Sequence, residues 1–254
     1  MKKVVKFGGS SLANSDQFRK VGEIIRSEES RRYVVPSAPG KRFPEDTKVT
    51  DLLYACYKKA AAGEDFGEIL REIKERYYEI IRGLGLELSL EKEFGQIEED
   101  FKAQAGTDYA ASRGEFLNGK IMAAYLGYEF VDAASVIRFD KNGNFDGDKT
   151  DKLLEKRLAK CERAVIPGFY GAMEDGTVKT FSRGGSDITG SLVAKAVHAD
   201  LYENWTDVSG FLVTDPRIVD DPAVSETITY RELRELAYMG ATVLHEDAIF
   251  PVQK

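Results

Sequence analysis

A glycine turn directly follows the first apolar run of the chain. The pair Val4-Val5 predicts a β-strand over residues 1–7, and this strand leads into the turn KFGGSS at positions 6–11. Asn14 or Ser15 is then placed to cap a helix whose apolar residues recur at helical spacing. A strand, a glycine turn and a helix in this order bring backbone N–H groups close to a phosphate, so the N-terminal segment predicts an anion-binding turn.

A second glycine turn, SRGGSD at positions 182–187, stands far down the chain and precedes a helix predicted over 186–197. In the first turn, Gly8 and Gly9 remove the Cβ atoms that would block a close approach to the backbone, and Lys6 adds a cation beside them. Two turns of this kind suit a site that holds two anions at once.

The predicted elements alternate in the manner of an α/β protein. Further strands are predicted over 33–35, 130–132, 164–167, 177–181 and 201–205, and a largely helical region is predicted over about 50–126. This alternation favours a mostly parallel sheet that is covered by helices on both faces. Ligands of such sheets gather at the carboxyl ends of the strands, and both glycine turns are expected to lie there.

The composition limits the classes of partner. The formal net charge of −7 argues against nucleic acid or an anionic membrane as a partner, so any bound anion needs a local group of Lys and Arg side chains. The only cysteines, Cys56 and Cys161, favour a reducing cytoplasm over a disulfide framework. Neither a signal-peptide core before Gly8 nor an apolar run long enough to span a bilayer is expected.

Short motifs occur in a fixed order along nearly the whole chain. They are KFGGSS at 6–11, RGE at 113–115, PGF at 167–169, SRGGSD at 182–187, WTDVSG at 205–210, DPR at 215–217 and GATVLH at 240–245. On these motifs the sequence resembles the catalytic domain of an aspartokinase, within the amino-acid kinase family. The resemblance implies a three-layer αβα sandwich and a single catalytic domain over residues 1–254, without the C-terminal regulatory domains that full-length aspartokinases usually carry.

The resemblance also implies an activity, which is ATP-dependent phosphorylation of the β-carboxylate of L-aspartate, the first step towards lysine, threonine and methionine. ATP is then the co-substrate, Mg²⁺ the metal ion and a homodimer the common assembly. A carboxylate is already ionised at neutral pH, so this reaction needs no general base. Catalysis should therefore consist of positioning two anionic reactants and neutralising their charge.

The phosphate site implied by the resemblance lies on the two glycine turns. Lys6 is expected to bridge the transferred phosphoryl group as an exposed cation beside the turn, and Asp187 is expected to orient Lys6 or to hold the metal environment. These two residues are the implied catalytic pair. The implied ATP-binding residues are Lys6, Phe7, Gly8, Gly9, Ser10, Thr206, Asp207 and Arg217.

An amino acid carries an ammonium group and a carboxylate, so a protein that recognises it needs both an anionic and a cationic side chain. The fork of Arg183 suits a carboxylate, and the carboxylate of Glu115 suits an α-ammonium group. The resemblance assigns both residues to aspartate, together with Ser186 and a threonine after the second strand, for which Thr50 fits best although Thr47 is also near. A helix cap is an equal alternative for Thr50, and a first-turn acid is the alternative for Glu115.

Two positions depart from the family pattern. Thr242 stands where many aspartokinases have a lysine near the nucleotide phosphates, and Leu212 stands where the family often has a tyrosine near the nucleotide. The missing lysine makes Lys6, Lys41, Arg42 or magnesium more important for neutralising the phosphates.

Two other functions remain open on the sequence. One is a kinase that acts on a different carboxylate, such as glutamate or acetylglutamate. The other belongs to a different class, a nucleotide-binding module without turnover. The combination of Glu115 with Arg183 favours a free α-amino acid over an acetylated one.

Overall fold

The computed structural model of the chain describes residues 1–182 and 184–206, together with residues 228, 229, 232 and 235. The strands in these ranges are β1 (Lys3–Phe7), β2 (Arg31–Pro36), β3 (Glu129–Phe130), β4 (Ala164–Val165), β5 (Tyr170–Ala172), β6 (Val178–Thr180) and β7 (Leu201–Trp205). The α-helices are α1 (Ser15–Arg26), α2 (Val49–Ala61), α3 (Gly67–Leu84), α4 (Glu91–Lys102), α5 (Thr107–Leu126), α6 (Ala133–Val136), α7 (Gly147–Leu158) and α8 (Gly185–Ala196). The helical region predicted over about 50–126 corresponds to α2–α5.

Five parallel strands form the central sheet in the order β3-β4-β2-β1-β7. In its register, Lys6 of β1 lies between Val35 of β2 and Asn204 of β7. Strands β5 and β6 form a separate antiparallel pair. The mostly parallel sheet is confirmed, and the strand predicted over 177–181 pairs with β5, a strand that the sequence analysis did not predict.

The strands of the sheet are buried on both faces. Val5 and Val34 pack in a core formed with helices α1–α5, whereas Val4 and Val35 pack in a second core formed with α6–α8. Strands covered on both sides have near-continuous apolar runs, which explains the Val4-Val5 pair. The three-layer αβα sandwich is therefore confirmed. No helix in the described ranges is long and apolar enough to cross a bilayer.

The first glycine turn leads into a short 3₁₀ helix, Gly9–Leu12, rather than directly into α1. Helix α1 begins at Ser15, and Oδ1 of Asn14 accepts the N–H of Gln17 at 3.0 Å. The predicted cap is thus Asn14 rather than Ser15. The predicted order of strand, turn and helix is confirmed, with the 3₁₀ segment lying between the turn and α1.

The loop between β2 and α2 is fixed by the buried side chain of Arg76 from α3. Its Nη2 donates to the carbonyl of Gly40 and its Nη1 to the carbonyl of Thr47, both at 2.9 Å. Nη1 also lies 3.2 Å from Oδ2 of Asp46. The N–H of Gly40 in turn donates to the carbonyl of Gly9 at 2.8 Å, so one guanidinium group links α3 to the first glycine turn.

Replacing Arg76 with methionine should lower the free energy of unfolding by about 3 kcal/mol, because the change leaves two buried carbonyls and part of Asp46 without their donor. Urea unfolding measures this loss. Arg82→Met is the matched control, since Arg82 pairs with Glu75 on the same helix but both side chains are exposed. That control should cost less than about 1 kcal/mol, and equal losses in the two variants would refute the role given to Arg76.

Candidate active site

Lys6 points its ammonium group at the first turn of α8. Its Nζ lies 2.7 Å from Oδ1 of Asp187, and Nδ2 of Asn204, beside Lys6 on β7, donates to the same oxygen at 3.3 Å. A carboxylate in the first turn of a helix is also favoured by the helix dipole. Lys6 is only 9% exposed, so the expectation of an exposed cation is wrong. Its burial follows from its position in a strand that is covered on both faces.

The two glycines of the first turn are explained by different steric surroundings. A Cβ atom built on Gly8 would lie 3.9 Å from Nζ of Lys6, so this glycine leaves space directly beside the ammonium group. A Cβ atom on Gly9 would lie 2.8 Å from the carbonyl oxygen of Ala38. Gly9 is therefore required by the packing of the loop after β2, whereas Gly8 borders open space beside the Lys6 ammonium group.

The other described residues that were expected to bind ATP differ in exposure. Phe7 is buried, and its ring stacks on Trp205 with the centroids 6.0 Å apart. The side chain of Phe7 therefore belongs to the core, and its carbonyl accepts the N–H of Ser37 at 3.1 Å. Ser10 is exposed, and Thr206 directly follows the end of β7.

The second glycine turn packs backbone to backbone against the segment that precedes β5. A Cβ atom on Gly185 would lie 2.9 Å from Cα of Phe169, and one on Gly168 would lie 2.8 Å from Cα of Ser186. Phe169 has a φ of 81°, which side-chain-bearing residues seldom adopt. The PGF and SRGGSD motifs therefore occur together because each needs a glycine at their contact.

Ser37 is a further candidate for the site, and it was not singled out in the sequence. It directly follows β2, and its hydroxyl oxygen lies 3.0 Å from the hydroxyl oxygen of Ser186 at the start of α8. The contact joins the loop after β2 to the second glycine turn. The signal that could have indicated it is its position at the carboxyl end of a parallel strand, where such sheets place their ligands.

Glu115 is a buried carboxylate in the middle of α5. It is 6% exposed, and burial raises its pKa to about 8, against the opposing effects of a backbone hydrogen bond from Ala38 and the charge of Arg113. Its Oε2 accepts no hydrogen bond from the described residues. The alternative of a first-turn acid is wrong, since α5 already begins at Thr107.

The charge of Arg113 is directed at aromatic rings. Its guanidinium carbon lies 4.5 Å from the ring centroid of Tyr109 and 4.4 Å from that of Phe116. Its Nε and Nη2 also donate to the hydroxyl oxygen of Ser112 at 3.1 Å and 2.9 Å, so rings and one hydroxyl group surround this buried cation. The arginine of the RGE motif thus packs α5, while the carboxylate of the motif keeps a free oxygen.

Thr50 lies beside the residue that precedes Glu115. A Cβ atom on Gly114 would be 3.8 Å from Oγ1 of Thr50. The N-cap of α2 is Lys48, whose side chain makes no capping bond, so the cap alternative for Thr50 is wrong. Thr47 is exposed in the loop that Arg76 holds, and the structure therefore favours Thr50 over Thr47.

Lys41 and Arg42 are both among the cations expected to compensate for the missing lysine, and Arg42 is already paired with two carboxylates. Its Nε lies 2.9 Å from Oδ2 of Asp46, and its Nη1 lies 3.0 Å from Oε2 of Glu79. Lys41 is exposed, and its Nζ donates to the carbonyl of Pro44 at 3.0 Å. Lys41 is thus the better candidate of the two.

The structure brings most of the described candidates to one edge of the sheet. In the first turn, Lys6 pairs with Asp187 beside Gly8. Glu115 and Ser186 adjoin the segment 37–40 that packs on this turn, and Thr50 lies next to Gly114, the residue before Glu115. Five positions singled out in the sequence lie outside the described residues, namely Arg183, Asp207, Leu212, Arg217 and Thr242.

Comparisons with known proteins show the family to which the chain belongs. The model of the amino acid kinase family matches residues 1–254. Aspartokinase 3 of Bacillus subtilis is 41% identical over 98% of this chain, and the lysine-sensitive aspartokinase 3 of Escherichia coli is 30% identical over 98%. The chain spans 58% of the length of each of these two relatives.

Solved structures give the same result. Aspartate kinase of Clostridium acetobutylicum superposes with a TM-score of 0.94 at 54% identity, covering 99% of this chain and 57% of that one. Aspartokinase III of E. coli, solved in complex with aspartate and ADP, superposes with a TM-score of 0.82 at 30% identity, covering 99% of this chain and 59% of that one. The resemblance found in the motifs is confirmed, and the chain belongs to the amino acid kinase family.

Proposed function

We propose that this chain transfers the γ-phosphoryl group of ATP to the β-carboxylate of L-aspartate, giving 4-phospho-L-aspartate and ADP. The observation that carries the proposal is the Lys6–Asp187 ion pair, which lies beside the open space at Gly8 and close to the second glycine turn. The relatives named aspartokinase support it, and so does the E. coli structure in complex with aspartate and ADP.

The transfer can proceed without a general base. A carboxylate oxygen of aspartate attacks the γ-phosphorus while the bond from that phosphorus to the leaving oxygen of ADP breaks, and no proton has to move. Lys6 neutralises charge on the transferred group, and Asp187 fixes the direction of the Lys6 ammonium group. Backbone groups of Gly8, Gly9 and Ser10 are proposed to contact phosphate oxygens.

The aspartate subsite is proposed to use Thr50, Glu115, Arg183 and Ser186. Glu115 pairs with the α-ammonium group and Arg183 clamps a carboxylate. The free oxygen of Glu115 favours an unmodified amine, because an acetylated nitrogen carries no positive charge to pair with it. This property weighs against acetylglutamate as the substrate.

Mg²⁺ is proposed to enter with the nucleotide. Within the described ranges, no three acidic, cysteine or histidine side chains are grouped closely enough to form a metal site. Mg²⁺ in kinases commonly keeps water ligands and binds chiefly to phosphate oxygens, with one or two carboxylates. Among the described residues, Asp187 is the carboxylate placed to contribute to its surroundings.

Several assignments remain proposals that rest on the resemblance. Thr206, Asp207 and Arg217 are proposed to bind the nucleotide, and the backbone of Phe7 is proposed to border the phosphates. A biosynthetic role towards lysine, threonine and methionine, action in the cytoplasm and assembly as a homodimer are proposed on the same ground. The name of the lysine-sensitive E. coli relative supports the biosynthetic role.

The proposal is tested by coupling ADP release to NADH oxidation and by trapping the acyl phosphate with hydroxylamine. We expect ADP release that depends on aspartate, together with aspartyl hydroxamate in equal amount. Glutamate and N-acetylglutamate are the comparison substrates, and turnover with either in place of aspartate would overturn the proposed substrate. Nucleotide binding without hydroxamate from any of the three acids would show a binding module instead.

A further inference from the structure

Asn118 is a buried amide one helical turn after Glu115 on α5. It is fully buried, and its Nδ2 donates to the carbonyl of Ser37 at 2.6 Å. A carbonyl oxygen only accepts hydrogen bonds, so this contact fixes which side of the amide faces Ser37. The other side, Oδ1, is buried and accepts no hydrogen bond from the described residues.

Glu115 and Asn118 face the same short segment of chain. Residues three apart lie on one face of a helix. The backbone of Ala38 lies near the carboxyl group of Glu115 and lowers its pKa, while Asn118 donates to Ser37, the residue before Ala38. Both side chains thus face the loop after β2, and each keeps one buried oxygen without a donor from the described residues.

Buried acceptors without donors are uncommon and cost stability, so two of them on one helix face require an explanation. The segment that they face also contacts the proposed substrate residues, since the hydroxyl of Ser37 reaches the hydroxyl of Ser186 at 3.0 Å. A ligand that brings several N–H donors to this place would satisfy both oxygens. An ammonium group carries three such donors.

We propose that Oδ1 of Asn118 is a second acceptor for the α-ammonium group of the amino-acid substrate, beside the carboxylate of Glu115. The proposal rests on the proposed function. Glu115 supplies the opposite charge, whereas the neutral amide of Asn118 adds a directional hydrogen bond that a dicarboxylic acid without an amine cannot use. Asn118 therefore helps to distinguish aspartate from succinate, which differs from it by the missing amine.

The test measures the dissociation constants of aspartate and succinate by calorimetry, with ADP present, for this chain and for Asn118→Leu. Aspartate binding should weaken by about 10-fold or more, the range for a hydrogen bond to a charged group, while succinate binding stays within about 2-fold. Met122→Ala is the control for packing of α5, because Met122 is fully buried one turn further along. It should change both ligands alike.

Asn118→Asp covers the case in which the leucine variant does not fold. The protonated side chain of Asp donates to the carbonyl of Ser37 as the amide does, and its other oxygen remains an acceptor at the same distance from the backbone. This variant should retain the preference for aspartate over succinate, and loss of that preference would overturn the proposal. Equal weakening of both ligands in Asn118→Leu would also overturn it and would leave Asn118 only its support of Ser37. Unchanged binding of both ligands would overturn it as well.

Failure of the proposed function gives a different result. The unmodified chain would then bind neither aspartate nor succinate, or would turn over another acid in the hydroxylamine assay, before any variant is compared. That result would overturn both proposals. If the unmodified chain binds aspartate normally and the Asn118 variants change aspartate and succinate binding alike, only the proposal for Asn118 is overturned.

Discussion

Replacing Lys6 with methionine should lower the rate of phosphoryl transfer by on the order of 10²–10³-fold, the usual effect of removing one preorganised donor from a charged transition state. Methionine keeps most of the length and apolar volume of the lysine stem. The change therefore removes the ammonium group from its place 2.7 Å from Asp187 while leaving the strand packing largely intact. The rate of ADP release at saturating substrates measures the effect.

The variant also affects folding, because Lys6 is buried and its loss leaves Asp187 without its cation. The double variant Lys6→Met/Asp187→Asn removes both charges. It should recover much of the stability that is lost in the single variant, but none of the rate. A rate near that of the unmodified chain in any folded Lys6→Met protein would refute the assignment.

Lys3 provides the matched control on the same strand. It is 8% exposed, and its Nζ lies 2.7 Å from Glu28 and 2.9 Å from Glu203, at the opposite end of β1 from the glycine turn. Lys3→Met should destabilise the protein and leave the turnover of the folded fraction unchanged. A loss of rate equal to that of Lys6→Met would show that the assay reports lost stability and not the loss of the Lys6 ammonium group.

The architecture could be predicted from local patterns in the sequence. Apolar runs such as Val4-Val5 indicate strands that are covered on both sides, and recurring apolar residues predicted the helices between about 50 and 126. The cap at Asn14 follows from side-chain chemistry within one turn. These signals are short-range, so they can be recognised in the sequence before the tertiary contacts of each element are known.

The reasons for individual site residues depend on contacts between distant segments. Gly9 is explained by Ala38, and Gly168 by Ser186, yet neither partner is close in sequence. The burial of Lys6 likewise depends on covering both faces of the sheet with helices. Ser37 and Asn118 carry no motif of their own, so only the fold could place Ser37 beside Ser186 and the amide of Asn118 against the carbonyl of Ser37.

Replacing Glu115 with glutamine should weaken aspartate binding by on the order of 10²-fold, since the change removes the charge proposed to pair with the buried ammonium group. Succinate and ADP should bind as before. Calorimetry with the three ligands measures the selectivity of the loss. Glu93→Gln is the matched control, because Glu93 is a partly buried acid that pairs with Lys120 of α5.

The raised pKa of Glu115 allows a second, independent test of its proposed pairing with the ammonium group of aspartate. With a pKa of about 8 in the free protein, the carboxyl group is mostly protonated at neutral pH and must ionise to pair with an ammonium group. Aspartate binding at pH 7 should therefore release about one proton, and the release should fall towards zero above the pKa of the free protein. Calorimetry in buffers of different ionisation enthalpy measures this number, and Glu115→Gln should release none.

The same pKa fixes the sign of the effect of Glu115 on stability. Between its ordinary value of 4.5 and the value of about 8, the folded protein holds a proton that the unfolded chain has released, so stability falls as the pH rises through this window. Glutamine does not titrate. The melting temperature of Glu115→Gln minus that of the unmodified chain should therefore increase as the pH rises, although the variant binds aspartate poorly. A constant difference across the window, together with unaltered proton release, would mean that Glu115 is ionised in the free protein and is not kept neutral by burial.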